Sequence, residues 1–331
     1  MSDMVSILVP IYNVEKYIEG CAHSLFSQTY SEIEYIFVDD CSLDKSVELL
    51  KNVLEFYPNR KQSVHILTHD RNRGLAVSRQ TAINAASGLY VLTVDSDDWI
   101  EENMVETLMH SALQNDYDVV SCDYFVEYKK KTIVRKQIPY STPKEYMISI
   151  LLGKNHGGTC IKLFRRSLFT EYNITYWAGL NMLEDVSVVF RLLFYAHTGR
   201  HISTPFYHYN QTNQNSYCTV LSVSSQKNML DLVAYMDDFY QNNSPDKEVL
   251  CAYMSFKLSI KASLIYHSDN YGDLKKYTSL YPDLSIYISK ASLSPLYRLV
   301  LLSSVLHPAL SYVICCVTNK LKSLRNRIYN R

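Results

Sequence analysis

From residue 5 to residue 128, short apolar runs alternate with amphipathic stretches, over about 125 residues. That rhythm confines the chain to an α/β architecture: a doubly wound, mostly parallel sheet with helices on its faces. Residues 5–9, 33–38, 64–67, 90–94 and 119–128 read as strands, because β-branched and aromatic residues crowd into runs too short for helices. Residues 15–28, 46–56, 74–86 and 104–115 have helical spacing; in the first, Tyr17, Ile18, Cys21 and Leu25 share one side and Glu15, Lys16 and Glu19 the other. Gly88 follows the third helix as a C-terminal breaker.

Ligands of such sheets bind at the carboxyl ends of the strands. Three strand ends here carry reactive residue types: Pro10-Ile11-Tyr12-Asn13, Asp39-Asp40 and Asp95-Ser96-Asp97. The last is a D-x-D, and side chains two apart on an extended chain point the same way. Acids crowded at the end of a buried strand call for a cation, and a hard divalent ion takes oxygen ligands. Asp98 with Glu101 three residues on reads as a helix N-cap in a capping box. No G-x-G-x-x-G follows the first strand and no Walker lysine motif is present, which disfavours dinucleotide dehydrogenases and P-loop enzymes.

Beyond residue 128 the pattern loosens. Lys129-Lys130-Lys131 reads as a solvated hairpin or loop, 144–152 as a helix, 153–158 as a flexible loop and 160–164 as a return to the sheet. Glu184-Asp185 opens an amphipathic helix over 186–196. The amide-rich stretch 207–217 reads as a mobile loop, His156 and His208 as loop histidines, and 223–241, 246–267 and 273–280 as helices. The expected division is a catalytic domain over 1–220 and a helical C-terminal region over 221–331.

The segments VSILVPIYNVEKYIEGCAHSLFSQTYSEIEYIFVDDCSLDKS and GLAVSRQTAINAASGLYVLTVDSDDWI, with KLFRRSLF at 162–169 and GLNMLEDVSVVFRLLFYA at 179–196, resemble family 2 glycosyltransferases of the GT-A fold. The resemblance covers about residues 4–210, and an ordered set of four motifs is specific. It implies transfer of a sugar, with inversion, from a nucleotide diphosphate sugar (a UDP-sugar for preference) to an acceptor hydroxyl of a surface glycan or lipid-linked saccharide. By position, Pro10, Tyr12 and Asp40 would hold the base with Asp39 close by, Asn13 and Ser96 would line the donor, and Asp95 would contact the ribose. Asp97, with Asp95 beside it, would hold Mg²⁺ or Mn²⁺ at the diphosphate, and Asp185 would be the general base. Arg79 reads either as a surface charge or as a phosphate contact. Cys41 stands where the family usually has glycine, and Asn210 where many relatives carry arginine. The alternatives are a degenerate transferase acting as a non-catalytic binding subunit and a sugar nucleotidyltransferase. The second would want a glycine-rich basic loop where Tyr12-Asn13-Val14-Glu15 stands.

Net charge is zero, so no basic field argues for nucleic acid. The balance is uneven, because residues 320–331 hold Lys320, Lys322, Arg325, Arg327 and Arg331 and no acid. Residues 299–319 are free of Asp, Glu, Lys and Arg, long enough to reach across a bilayer core, but His307-Pro308 interrupts them. Leu321, Leu324 and Ile328 continue at helical intervals among the basic residues, the pattern of an amphipathic helix on an anionic membrane surface. The eight cysteines form no C-x-x-C pair and no signal-peptide pattern precedes the first strand. The expectation is a cytoplasmic protein attached peripherally to the inner face of the membrane.

Overall fold

The computed structural model describes residues 3–213 and 222–329. In chain order its elements begin β1 (Val5–Ile11), α1 (Ile18–Phe26), β2 (Ile33–Asp39), α2 (Ser46–Leu54), β3 (Val64–Thr68), α3 (Leu75–Ala85) and β4 (Tyr90–Thr93). They continue β5 (Trp99–Ile100), α4 (Met104–Asn115), β6 (Val119–Tyr128), β7 (Lys131–Arg135), α5 (Pro143–Leu151), β8 (Lys162–Arg165), α6 (Ser167–Glu171), α7 (Glu184–Tyr195) and β9 (Gly199–Asn210). Helices α8 (Val223–Asn243), α9 (Lys247–Tyr266), α10 (Tyr271–Thr278), α11 (Pro295–Leu306) and α12 (Pro308–Tyr329) complete the chain. It divides into two compact units, Met1–Ser149 with Lys154–Val220, and Ile150–Gly153 with Leu221–Arg331.

In the first unit one mixed sheet runs β3-β2-β1-β4-β8-β6-β9-β5, with β7 on β6. The half from β3 to β4 is parallel, and β8 enters antiparallel to β4. Every residue of β1, β2 and β4 is buried, which is why these strands read as unbroken apolar runs rather than as alternation. Register then gathers their ends at one edge: Ile11 pairs with Asp39 and Leu8 with Thr93. The β1–β4 pairing stops at Leu8, just short of Pro10, which has no N–H to extend a ladder. Behind the edge, Tyr35, Phe37, Leu25 and Phe26 pack a core in which the Phe26 and Tyr35 rings meet edge-on at 5.2 Å.

Three local expectations are corrected. Asp98 caps no helix: α4 begins at Met104 after Asn103, and Trp99-Ile100 is instead the edge strand β5, paired with His208 and Tyr207. Residues 207–210 are the end of β9 rather than a loop; 211–213 turn away, and 214–217 lie outside the described residues. His208 is therefore a strand residue, its ring stacked between Trp99 and Phe125 at 5.0 and 4.4 Å. At the three lysines the chain makes a tight hairpin, as expected, with Tyr128 facing Lys131.

The second unit is helical. Its apolar run 299–319 is not continuous: His307 is extended, as a residue before proline prefers, and Pro308 starts a new helix. One described helix, α9, is long and apolar enough to cross a membrane, and 61% of its most apolar window is buried inside the structure.

Candidate active site

The tip of β2 builds its own loop. Asp40 is buried and accepts from the backbone N–H groups of Arg73 and Gly74, each at 2.8 Å, with His69 Nδ1 at 2.7 Å. Asp39 accepts from Ser42 N–H through Oδ1 at 3.0 Å, and its Oδ2 has no hydrogen bond among the described residues. Asp40 thus organises the segment from His69 to Gly74, and Asp39 Oδ2 is an oxygen of the pair that remains without a hydrogen bond among the described residues. Asn13, at φ 52°, accepts from Leu43 N–H at 2.8 Å and donates its own N–H to Ser42 Oγ at 3.2 Å, tying the β1 tip to the β2 tip. Tyr12 stands beside it, 43% exposed. Cys41 sits at φ 63°, a left-handed conformation that costs an L-residue roughly 1–2 kcal/mol, which explains a position suited to glycine.

The acids after β4 face three ways. Asp95 meets Arg79 Nη2 at 2.7 Å. Ser96 is buried. Asp97 accepts from Asn213 Nδ2 at 2.8 Å, and its carbonyl accepts from Asn210 Nδ2 at 3.0 Å. Burial, then the Asp95 charge, hold the Asp97 carboxyl above the usual range. Asp98 is enclosed: Tyr207 O–H donates to Oδ2 at 2.5 Å and Asn210 N–H to Oδ1 at 2.7 Å, while burial and the two neighbouring acids push its pKa well up. The Tyr207 hydroxyl also accepts from Asp95 N–H at 3.1 Å, so the end of β9 fixes the D-x-D from behind.

Arg79 is no surface charge. It lies 4% exposed in α3, with Nη2 on Asp95 and Nη1 on Glu184. One guanidinium thereby joins the D-x-D to the start of α7, while its buried Nε has no hydrogen-bond partner among the described residues. Burial pushes Glu184 up against the opposing pull of Arg79. Asp185 is likewise raised by burial, with Arg79 pulling down. Its Oδ1 accepts from Val186 N–H at 2.7 Å; its Oδ2 has no donor among the described residues. That oxygen lies 2.9 Å from where a β-carbon on Gly158 would stand, so the wall beside it must be glycine. Leu183, just ahead of α7, is held at φ 65°, backbone strain next to the Glu184-Asp185 pair.

Among the described residues no group of three or more His, Cys, Asp or Glu side chains is placed to hold a metal alone. The donor set nonetheless fits Mg²⁺ or Mn²⁺ shared with a phosphate-bearing ligand. Such ions take one or two carboxylates and complete their shell with water and phosphate oxygens. Asp97 has no ion pair among the described residues, and burial first, then the Asp95 charge, raise its pKa.

Pro10, Tyr12, Asn13, Asp39, Asp95, Ser96 and Asp97 lie on adjoining strand ends of this edge, and Arg79 ties Asp95 to Glu184 and so to the start of α7, where Asp185 stands. Sequence reasoning missed Tyr207, Gly158 and the part played by Glu184, and marked Asn210 only as standing where many relatives carry arginine. Only the density of amides and tyrosines after residue 206 hints at Tyr207.

The chain matches the profile of Glycosyl transferase family 2 over residues 6–172. EpsH of Bacillus subtilis is 35% identical over 212 residues, 62% of this chain and 60% of EpsH. The glycosyltransferase GlyG of Streptococcus pneumoniae is 38% identical over 125 residues, 38% of this chain and 40% of GlyG. The chain thus spans less than two thirds of the length of these curated relatives. Among solved structures, Staphylococcus aureus TarS 1–349 in complex with UDP-GlcNAc superposes with a TM-score of 0.74 at 18% identity, covering 96% of this chain and 92% of that one. A mannosyltransferase from Pyrobaculum calidifontis, solved with GDP-Man and Mn²⁺, gives 0.54 at 15% identity over 95% of this chain and 86% of that one. These likenesses are of fold.

Proposed function

The chain belongs to glycosyl transferase family 2, and on that premise we propose that it transfers a hexosyl or N-acetylhexosaminyl group, with inversion, from a nucleoside diphosphate sugar to an acceptor hydroxyl. The acceptor is a growing surface glycan or a lipid-linked saccharide. A uridine donor is favoured by the TarS complex with UDP-GlcNAc. The observation that carries the reading is the single guanidinium of Arg79 bridging the D-x-D to the helix that presents Asp185.

The geometry supports the following roles. Tyr12 and Pro10 flank the base and Asp39 Oδ2 accepts from it, while Asn13 and Asp40 hold the loops that place them. Asp95, fixed by Arg79 and Tyr207, accepts from the ribose. Asp97, next to Ser96, binds Mg²⁺ or Mn²⁺; when bound, that ion neutralises charge developing on the departing diphosphate. The acceptor oxygen attacks the anomeric carbon from the face opposite the diphosphate, the bond to the diphosphate oxygen breaks, and the hydroxyl proton passes to Asp185 Oδ2. A single displacement inverts the centre. Burial of Asp185 raises its proton affinity toward what a base near neutral pH needs.

A panel of nucleotide sugars, with release of the free diphosphate followed in Mn²⁺, Mg²⁺ and chelator, tests this. Release from one donor that depends on the metal and on an acceptor supports it. Tight donor binding with no release from any donor would reduce the chain to a binding subunit.

The reading extends to place. Helix α11 exposes Leu299, Leu302, Val305 and Leu306, and α12 exposes Leu310, Val313, Val317 and Leu321 at helical intervals, while Ser311 and Cys315 are buried. An apolar stripe leading into the basic residues 320–331 suits attachment to an anionic cytoplasmic membrane face through residues 292–331.

A further inference from the structure

Lys162 is a buried side chain near the site whose chemistry the transfer reaction leaves unused. It stands at the start of β8, opposite Ser121 of β6, with none of its surface exposed. A lysine enclosed in protein is costly, and a packed apolar side chain would serve stability as well or better. Among the described residues it has no carboxylate within ion-pairing distance. Its ammonium instead donates to two carbonyls of one loop, that of His156 at 2.9 Å and that of Gly158, and lies 5.4 Å from the centre of the Tyr146 ring.

That loop is the wall beside Asp185. His156 N–H donates to Gln137 Oε1 at 2.6 Å, and its Nδ1 accepts from Gly158 N–H at 3.0 Å, so the ring is neutral and fixed as one tautomer. Gly158 then presents only its α-carbon to Asp185 Oδ2. A β-carbon there would stand 2.9 Å from that oxygen and 2.5 Å from His156 Cε1.

We propose that Lys162 is a positioning residue of the transfer reaction, its ammonium curling the 156–158 loop into the wall that aims Asp185 Oδ2 at the acceptor hydroxyl. This rests on Asp185 being the base. The charge acts as well as the bonds. Asp185 is faced by Arg79 from α3, Asp95 from the β4 tip, Glu184 from its own helix, and by Tyr176, Cys160 and Lys162. Of these, Arg79 and Lys162 are the cations, and Arg79 is already shared between two other carboxylates. Burial pulls Lys162 itself down to about 8, so it remains largely charged at neutral pH.

The test uses transfer to water, which needs the same proton acceptor and no known acceptor glycan: diphosphate release from the active nucleotide sugar with Mn²⁺. Lys162→Met is expected to lower kcat on the order of 10-fold to 100-fold with KM for the donor unchanged, and to move the acid limb of the kcat profile to higher pH, because the base loses a neighbouring cation. In an Asp185→Asn background the same substitution should cost less than 2-fold. Losses that multiply in the double variant, or an unmoved acid limb, would overturn the proposal. Should Lys162→Met not fold, judged by its melting transition and UDP binding, Gly158→Ala carries the test. It disturbs the same wall with Lys162 in place and must show the same fall in kcat at unchanged KM; a rise in KM alone would overturn the idea. Wild-type turnover in Asp185→Asn alone would instead remove the base assignment on which it stands.

Discussion

The role proposed for Asp97 draws on its surroundings. Its carboxylate is half-buried, it has no cationic partner among the described residues, and burial with a neighbouring acid raises its pKa. Asp97→Ala should therefore abolish transfer and metal-dependent nucleotide binding while leaving the fold intact. Isothermal titration of UDP with and without Mn²⁺ checks this, and an unchanged metal-dependent affinity would reject the assignment. Cys41 makes the opposite case, a residue whose burden is backbone strain. At φ 63° a glycine is at ease, so Cys41→Gly is expected to raise stability by about 0.5–1 kcal/mol, net of the greater freedom of its unfolded chain. A urea midpoint lower than wild type would show the strain to be compensated. Such details set the limit of what the sequence reveals. Asp39 and Asp40 were visible as a pair, but which one organises its own loop and which has an oxygen to offer depends on Arg73, Gly74 and His69, over 28 residues downstream.

Among elements, those buried on both faces were legible and those fixed by distant partners were not. The strands β1, β2 and β4 announce themselves because parallel strands inside a two-sided sheet are apolar throughout. Asp98 misled because D-x-x-E before an apolar run is also what a helix start looks like. Its true partners, Tyr207 and Asn210, come from β9, 109 and 112 residues away. The stretch 153–158 reads as a flexible loop, since glycines and polar residues fill it; what the sequence does not show is the buried Lys162 donating to the carbonyls of His156 and Gly158. That loop also carries a pH liability. Burial takes the His156 imidazole down to about 3, far below the roughly 6.5 of an unfolded chain. Between those values the unfolded state binds a proton that the folded state refuses. The stability contribution is thus complete above about pH 6.5 and is lost as pH falls, at up to about 1.4 kcal/mol per unit. In His156→Asn, which keeps an acceptor for Gly158 N–H, the loss between pH 7.5 and 5.5 should shrink by about 1 kcal/mol in urea denaturation. Equal losses in both proteins would mean that His156 takes up its proton without unfolding the loop.

At the scale of the whole molecule the question is where the chain works, and the two units answer from different evidence. The first unit's family was readable because its motifs come in a fixed order; the second has no such motifs, and only its pattern of apolar and basic residues speaks. Structure sharpened that pattern in two ways. The apolar run 299–319 is broken at Pro308, so it is not one spanning helix. The large apolar residues left exposed on the described part of α12 fall at 310, 313, 317 and 321, a narrow stripe on a single helical face, and five basic residues with no acid occupy 320–331. Burying that stripe in the interface of an anionic bilayer adds apolar transfer to roughly 1 kcal/mol for each basic residue near the surface. Full-length protein is expected to float with vesicles containing phosphatidylglycerol, to float poorly with neutral phosphatidylcholine vesicles, and to be released by high salt. Protein truncated after Ser289 should stay at the bottom of the gradient. Replacing Val313 and Val317 by serine should weaken flotation without touching the charge. Binding that ignores lipid charge, or survives truncation, would exclude the basic stripe as the anchor. Flotation resistant to salt but lost on truncation would instead point to insertion.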